Sequence, residues 1–306
     1  MPWVWVQEIE PGSPREPVVP LYHNLMVKVK RIRGTRSCGP AALPCCNWRA
    51  IAAGVRAISG DDHMPQLALI RHGQSEWNLQ NRFTGWVDVD LTDEGVAQAR
   101  QSGELLAKAG FEPTHAFVSV LKRAIKTLNF TLEGLDRLWI PVDKSWRLNE
   151  RHYGALAGLD KNETRAKHGD EQVKIWRRSF DTPPPPVATD HAYHPLNDHR
   201  YADVPRELLP ASESLKSTLD RVEPYWSSSI QPRLAAGETL IVAAHGNSLR
   251  ALVKLLFKVS DPDIMEVEVP TGNPLLIDLE DDGITLRSAR YLDPVRAKPL
   301  PPLPGA

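Results

Sequence analysis

The pattern of apolar and polar positions divides the chain into short apolar runs separated by longer amphipathic segments. Short apolar runs are typical of strands that are buried in a parallel sheet. The clearest run is Leu240–Ala244, and a second run at 67–70 ends abruptly at Arg71. A run at 116–118 is also strand-like, and 139–142 is a weaker candidate. These runs predict a sheet whose central strands are buried on both faces.

Helical periodicity and capping residues predict five helices among these strands. The first is capped by Thr92, passes Leu105-Leu106 and stops at Gly110, and the second covers 122–132. The third is a charged stretch over 160–180, which ends before the prolines at 183–186. The fourth is capped by Ser212 and runs toward Ala236, and the fifth runs from Asn247 to Phe257. Two further strands, 275–279 and 284–290, are predicted to form a closing hairpin through Asp281-Asp282-Gly283. The alternation of strands and helices predicts an α/β fold with three layers, a Rossmann-like mixed sheet with helices on both faces.

Composition separates this folded region from two unlike ends. Of the 27 prolines in 306 residues, seven lie in residues 1–63 and five in residues 294–306. All three cysteines lie before residue 64, and residues 1–63 carry a net charge of +3 from eight basic and five acidic side chains. We therefore predict an N-terminal extension over 1–63 that is disordered or a mis-assigned start, a globular domain over 64–293, and a frayed, proline-rich tail over 294–306 with no part in the chemistry.

Charge and hydropathy narrow the classes of partner. A formal net charge of −1 with 42% hydrophobic residues excludes a disordered chain and gives no reason to expect nucleic acid as a partner of the whole protein. No apolar run approaches the ~18 residues of a membrane span. The basic cluster at 28–33 is either a patch for nucleic acid or anionic lipid or a solvated stretch, and the surrounding prolines favour the solvated stretch. We expect a cytoplasmic protein without membrane or nucleic-acid partners.

Two separate strands end in the dipeptide His-Gly, at His72 and at His245. The carboxyl ends of strands are where open α/β sheets bind ligands, so both imidazoles are expected at one rim of the sheet. Arg71 precedes the first histidine, and Arg123 follows the strand at 116–118. Planar guanidinium groups match phosphate oxygens, and the helix that opens at Asn247 adds backbone N–H donors. The predicted ligand is therefore a phosphate, and the predicted chemistry is phosphoryl transfer to an imidazole.

Such a reaction also needs a group that moves a proton to and from the alcohol oxygen. Glu150 is the candidate, because it follows an apolar-to-polar transition and stands beside Arg151 and Tyr153. Taken alone, Glu150 is better explained as a surface ion-pair partner. Lys161 and the pair Arg177-Arg178 are, taken alone, solvated helix charges.

Four sequence blocks in this order resemble one known family. The blocks are Arg71-His72-Gly73-Gln74-Ser75-Glu76-Trp77-Asn78, Phe83-Thr84-Gly85-Trp86, Glu150-Arg151-His152-Tyr153-Gly154-Ala155-Leu156 and His245-Gly246-Asn247-Ser248-Leu249-Arg250, with Asp170–Arg178 between the last two. They are similar to the 2,3-bisphosphoglycerate-dependent phosphoglycerate mutases of the histidine phosphatase superfamily. The resemblance extends from Met64 to about Asp293.

The resemblance implies that His72 becomes phosphorylated after priming by 2,3-bisphosphoglycerate, that Arg71, Arg123 and His245 hold the phosphoryl group, and that Glu150 is the general acid and base. It implies a wider set of substrate-binding residues, which comprises Arg71, His72, Gly73, Gln74, Ser75, Glu76, Trp77, Asn78, Thr84, Gly85, Arg123, Glu150, Arg151, His152, Tyr153, Lys161, Arg177, Arg178, Gly246 and Asn247. Gln74 stands where the family often has Glu. The implied reaction interconverts 3- and 2-phosphoglycerate in glycolysis and gluconeogenesis without a metal ion, in a homodimer or homotetramer.

Three alternatives remain at the level of sequence. A phosphatase or a bisphosphoglycerate synthase and phosphatase of the same superfamily would keep His72 and change the balance of reactions. A phosphometabolite-binding protein would keep the pocket without catalysis. A zinc site at His191, His194 and His199 lacks cysteine and paired carboxylates, so a solvated loop explains these histidines better.

Overall fold

The computed structural model describes residues 64–305, and the statements below concern that part of the chain. The predictions for residues 1–63, including the basic cluster at 28–33, lie outside the described residues. The described residues form a mixed six-stranded sheet with the strand order β3-β2-β4-β1-β5-β6. The strands are β1 Gln66–Arg71, β2 His115–Val118, β3 Val142–Lys144, β4 Leu240–Ala244, β5 Leu275–Leu279 and β6 Leu286–Tyr291. Strands β1 to β4 are mutually parallel, and β5 and β6 run antiparallel to their neighbours.

Helices lie along both faces of this sheet. The α-helices are α1 Glu76–Leu79, α2 Asp93–Lys108, α3 Lys122–Gly134, α4 Lys161–His168, α5 Asp170–Arg178, α6 Leu215–Tyr225, α7 Gln231–Ala235 and α8 Gly246–Phe257. Short 3-10 turns occur at Trp146–Leu148, Gly154–Leu156, Pro195–Asn197, His199–Tyr201, Arg206–Leu208 and Asp263–Met265. In residues 64–305, no helix has both the length and the apolar character that crossing a membrane requires.

The three layers follow from the alternation of side chains along the buried central strands. In β1, Leu67 and Leu69 join a core with residues of α6 and α8, whereas Ala68 and Ile70 join a second core with residues of α2 and α3. All four side chains are fully buried. The predicted α/β fold with a mixed sheet and helices on both faces is therefore confirmed.

Two predicted strands begin at the wrong residue. The run at 139–142 contributes only its last residue to β3, which begins at Val142. Trp139 is 74% exposed because it precedes this edge strand, and Pro141 has no N–H to donate to a strand ladder. The last strand begins at Leu286 and not at 284, since the Asp282 carboxylate accepts the N–H groups of Ile284 and Thr285 and holds them in the turn.

The helix predictions require two corrections. The charged stretch 160–180 forms two helices, because Gly169 between them adopts a φ of +84° that ends α4. The helix predicted to start at Ser212 is capped by Ser214, whose hydroxyl accepts the N–H of Ser217. It is interrupted at 226–230 by a π-helical turn, after Pro224 has removed a backbone donor inside the helix. The predicted cap at Thr92 is confirmed.

The proline-rich tail is not the frayed end that its composition predicts. Leu300 and Leu303 pack against the core that includes α8. Arg296 donates to the carboxylate of Asp293 at 2.6 Å and to the carbonyl of Thr271 at 3.1 Å. Apolar contacts and these hydrogen bonds fix the tail on the surface that leads to the candidate site.

Candidate active site

The two His-Gly dipeptides meet because their strands are parallel neighbours. Arg71, the last residue of β1, is in register with Ala244, the last residue of β4, and the His72 N–H donates to the Ala244 carbonyl at 3.0 Å. The next residue of each chain segment is therefore a histidine at the same edge of the sheet. The rings of His72 and His245 have centroids 5.0 Å apart, and both residues are buried.

The ring of His72 holds its Nδ1 against the backbone and presents its Nε2 to Arg123. Its Nδ1 lies 2.7 Å from the carbonyl oxygen of Gly73, so Nδ1 carries the proton and donates it to that carbonyl. Nε2 is then unprotonated, and its lone pair accepts a hydrogen bond from Arg123 Nε at 3.3 Å. Burial, Arg123 and Arg71 hold the pKa of His72 well below its usual value, so the imidazole is neutral at physiological pH.

Arg123 is fixed beside His72 by backbone oxygens. It lies in the first turn of α3, and its two terminal nitrogens donate to the carbonyls of Val87 and Gly85, each at 2.8 Å. Burial lowers its pKa to about 10, which leaves the guanidinium charged at neutral pH. The chain therefore places a positive charge next to the unprotonated nitrogen of His72.

Glu150 is held at the amino end of α8. Its Oε1 accepts the N–H groups of Asn247 at 3.0 Å and of Arg151 at 2.8 Å. A Cβ added to Gly246 would lie 3.5 Å from Glu150 Oε2 and 3.4 Å from Arg71 Cζ, so the three groups face one another closely. The first turn of α8 thus orients the carboxylate toward the arginine that ends β1.

His245 is held by a buried hydroxyl. Its Nε2 lies 2.7 Å from Ser119 Oγ, immediately after β2. Burial, followed by Arg123 and His72, holds the pKa of His245 well below its usual value. Five side chains therefore converge on one point, and we call this set the inner end: Arg71, His72, Arg123, Glu150 and His245.

Two connected cavities surround this point. A cavity of about 100 Å³ reaches His72, and a larger one of about 540 Å³ opens beyond it; both are lined by Arg71, Glu150, Tyr153 and Arg177. Predicted residues on the wall of the smaller cavity also include Asn78, Thr84, Gly85, Arg123 and Lys161. Predicted residues on the wall of the larger one also include Arg178, Gly246 and Asn247.

Other predicted substrate-binding residues lie away from these walls. The backbone of Gly73 packs so closely against α2 that an added Cβ would lie 2.1 Å from the Gly95 carbonyl oxygen. Gln74 accepts a hydrogen bond from Thr92, and Ser75 caps α1, which Glu76 and Trp77 begin. Arg151 is buried and donates to the Arg177 carbonyl at 2.9 Å, and the ring of His152 lies beside Trp86 and accepts the Gly154 N–H. Through these contacts the residues support the loops that carry the pocket.

Arg250 is a buried wall residue that the sequence predictions omit. It donates to Asn247 Oδ1 at 2.9 Å, and Asn247 Nδ2 in turn lies 3.2 Å from the Tyr153 hydroxyl. Burial lowers the pKa of Arg250 to about 9. The sequence could have predicted Arg250 as a site residue, because residues three apart on a helix share a face and Asn247 was predicted to face the ligand.

Several buried guanidinium nitrogens lack a hydrogen-bond partner among residues 64–305. Arg71 Nε and Arg250 Nε are two such atoms, and both residues line the larger cavity. Buried charged donors without partners are unfavourable unless a ligand supplies acceptors. The chemistry of these donors fits an anion with several oxygens.

The far wall of the larger cavity is formed by partly exposed charges that we call the outer rim: Arg178, Glu268, Arg296 and Lys298. Arg178 ends α5 and was predicted, whereas the other three were not. Arg296 and Lys298 belong to the proline-rich tail, for which the sequence predicted no part in the chemistry, and in the structure they line the cavity. The sequence around Arg296 and Lys298 has no helical or strand periodicity, so it does not predict that they line the cavity.

The alternative interpretation, in which His191, His194 and His199 bind zinc, has no support in the geometry of residues 64–305. Within residues 64–305, no three His, Cys, Asp or Glu side chains are arranged to hold a metal ion. His191 Nδ1 accepts the Tyr193 N–H, and His194 Nδ1 accepts the Leu196 N–H. These histidines serve local turns.

An α/β sheet with a buried histidine pair and converging arginines at its carboxyl edge defines a class of phosphoryl-binding protein. Residues 67–194 match the model of the histidine phosphatase superfamily (branch 1). Bacillus stearothermophilus YhfR has a related fold, with a TM-score of 0.55 at 21% identity over 73% of this chain and 95% of that one.

Closer relatives define the family within that class. The chain is 60% identical over 238 residues to a 2,3-bisphosphoglycerate-dependent phosphoglycerate mutase of a Caulobacter species, covering 78% of this chain and 99% of the relative. It is 58% identical over 229 residues to the protein of the same name from Sphingopyxis alaskensis, covering 75% and 99%. The chain belongs to the 2,3-bisphosphoglycerate-dependent phosphoglycerate mutase family.

Proposed function

We propose that this chain interconverts 3-phosphoglycerate and 2-phosphoglycerate through a phosphohistidine at His72, with 2,3-bisphosphoglycerate as primer. The observation that carries the proposal is the unprotonated Nε2 of a buried, neutral His72, which accepts a hydrogen bond from Arg123 and lies beside the ring of His245. An imidazole in this state is a nucleophile without prior loss of a proton. The names of the relatives support the same reaction.

The inner end accounts for the transfer step. The primed phosphohistidine gives its phosphoryl group to the free hydroxyl of the phosphoglycerate, which forms the bisphosphate. Nε2 of His72 then attacks the other phosphorus of the bisphosphate while the bond from that phosphorus to its alcohol oxygen breaks in line. Arg71, Arg123 and His245 surround the transferring group, and the two arginines neutralise its charge. Glu150 takes the proton from the accepting hydroxyl in the first transfer and gives it to the departing alcohol oxygen in the second.

The larger cavity accounts for the mutase outcome. A phosphoglycerate carries a carboxylate besides the phosphate, and the bisphosphate intermediate carries a second phosphate. A cavity of about 540 Å³ with Arg177, Arg178, Arg250 and Lys298 on its wall offers cations for these groups while the first phosphate stays at His72. The bisphosphate intermediate can therefore reorient within one pocket and return either of its two phosphates to His72.

The deciding experiment is a coupled assay of the conversion of 3- to 2-phosphoglycerate by dephosphorylated enzyme, with and without added 2,3-bisphosphoglycerate and with EDTA. We expect activity that requires the bisphosphate and survives the chelator. Loss of activity in EDTA, or a rate independent of the bisphosphate, would overturn the mechanism. Release of inorganic phosphate as the main reaction would indicate a phosphatase, accumulation of bisphosphate a synthase, and binding without turnover a phosphometabolite-binding protein.

The assembly and the location complete the proposal. We propose that residues 64–293 are the catalytic domain of a cytoplasmic enzyme that forms a homodimer or homotetramer. Strand β3 is an edge of the sheet, and Leu138 and Trp139 just before it are 59% and 74% exposed. An exposed edge with apolar side chains favours self-association. Light scattering of the purified protein tests this, and a monomer at micromolar concentration would contradict it.

A further inference from the structure

Glu268 is an acidic residue in an otherwise cationic part of the pocket. Two carboxylates line the larger cavity, and the other one, Glu150, belongs to the inner end. The two carboxylate oxygens of Glu268 pair with different cations: Oε1 accepts from Arg178 Nη2, and Oε2 lies 3.7 Å from Lys298 Nζ. Glu268 therefore occupies cations that an anionic ligand in this cavity would use.

The backbone around Glu268 is anchored, so its side chain is placed at the rim by the fold. Its carbonyl accepts the Tyr291 hydroxyl of β6 at 3.2 Å. The carbonyl of the next residue, Val269, accepts from Arg71 Nη1 at 2.8 Å, which ties the same segment to the inner end. The hydrogen bond and charge of Arg178 hold the pKa of Glu268 below its usual value, so the carboxylate is ionised at neutral pH.

The contact is also weak enough to exchange. The side chains of Arg178, Glu268 and Lys298 are 28%, 43% and 48% exposed. Ion pairs of this exposure contribute at most about 1 kcal/mol, because water and salt screen them. A phosphate or carboxylate of a bound ligand carries comparable or greater charge and can replace Glu268 at the guanidinium.

We propose that Glu268 is a built-in competitor for the second anionic group of the substrate: its carboxylate holds Arg178 in the empty pocket and gives it up when that group binds. Glu268 therefore limits how tightly the pocket holds a doubly anionic ligand and favours release of the bisphosphate. This inference rests on the proposed function, since it concerns the same pocket and the same substrate class.

Titration calorimetry of the full chain tests the proposal with two probes, in a His72→Asn background that cannot accept a phosphoryl group and so reports binding alone. Inorganic phosphate carries one anionic group and fits the inner end, whereas 2,3-bisphosphoglycerate also reaches the rim. In Glu268→Gln we expect the Kd of the bisphosphate to fall about two- to fivefold, the range set by an exposed ion pair, and the Kd of phosphate to stay unchanged. Glu266→Gln is the matched control, because it makes the same charge change two residues away and Glu266 forms no ion pair within residues 64–305.

The outcomes separate this inference from the proposed function. An unchanged or higher Kd for the bisphosphate in Glu268→Gln would overturn the inference, and so would an equal fall in Glu266→Gln. An Arg178→Met background adds a second check, because the effect of Glu268→Gln should disappear there, and an effect that persists would place the competition elsewhere. If the wild-type chain binds phosphate but no bisphosphate, the proposed function itself fails.

Discussion

The inner end of the pocket and its outer rim both carry arginines, but they differ in burial and in how their side chains are held. At the inner end, Arg123 is 1% exposed and is fixed by two backbone carbonyls and by His72. At the rim, Arg178 and Lys298 are partly exposed and share one carboxylate, that of Glu268. The inner end therefore holds its charged side chains in a fixed geometry, whereas the charged side chains of the rim can exchange their partners.

Because of this difference, we expect the two regions to control different kinetic quantities. Buried charges in a low-dielectric site interact strongly and need no reorganisation during the reaction, so the inner end should control kcat. Exposed ion pairs exchange readily with solvent and ligands, so the rim should control affinity and release. Substitutions in the two regions can therefore separate kcat from KM.

The largest effect is expected for His72→Asn, which removes the proposed nucleophile. Loss of a covalent nucleophile lowers kcat by at least about 10⁴-fold, because no other group replaces the missing covalent step. Steady-state kinetics with 3-phosphoglycerate measures this, with the exposed His168→Asn as control. A His72→Asn enzyme within tenfold of wild type would show that the transfer does not pass through this ring.

The next effect is that of Glu150→Gln, which keeps the shape of the side chain and removes its proton-transfer capacity. We expect kcat to fall by about 10²- to 10⁴-fold with little change in KM. The exposed Glu163→Gln serves as control. If KM rises and kcat holds, Glu150 acts in binding and the separation between the two regions is wrong at this residue.

Acid should destabilise the fold through the inner end. The pKa values of His72 and His245 are lowered well below 6.5 in the folded chain, so the unfolded chain binds more protons in acid. Their stabilising contribution is complete above about pH 6.5 and is lost as the pH falls toward the folded pKa values, by at most about 1.4 kcal/mol per histidine and pH unit. Urea unfolding at pH 7.5 and 5.5 measures it. The acid-induced loss should be smaller in His72→Asn, and an equal loss would contradict the assignment.

The smallest effect is expected at the rim. Lys298→Ala removes a half-exposed cation from the cavity wall, and we expect KM to rise about two- to fivefold with kcat unchanged. A tenfold fall in kcat would mean that the tail acts on the reaction itself. Lys258→Ala, on the surface near the end of α8, is a control for loss of one lysine.

The difference between the two regions also explains what the sequence could predict. His72 and His245 each follow a buried strand, and parallel neighbours bring such ends together, so this histidine pair could be predicted from the pattern alone. The role of Glu150 came only from the resemblance to the family. The positions of Glu268, Arg296 and Lys298 depend on contacts made by segments without periodicity. Ser212 shows the same limit locally, since two serines two residues apart can cap a helix and only packing selects Ser214.

The central claim is that the phosphoryl group passes through Nε2 of His72. The most direct measurement is mass spectrometry of peptides from enzyme incubated with 2,3-bisphosphoglycerate and kept at alkaline pH, where phosphohistidine survives. We predict one acid-labile phosphate, on the peptide that contains His72 and attached to Nε2. Phosphate on another residue, or turnover without any phosphoenzyme, would contradict this account.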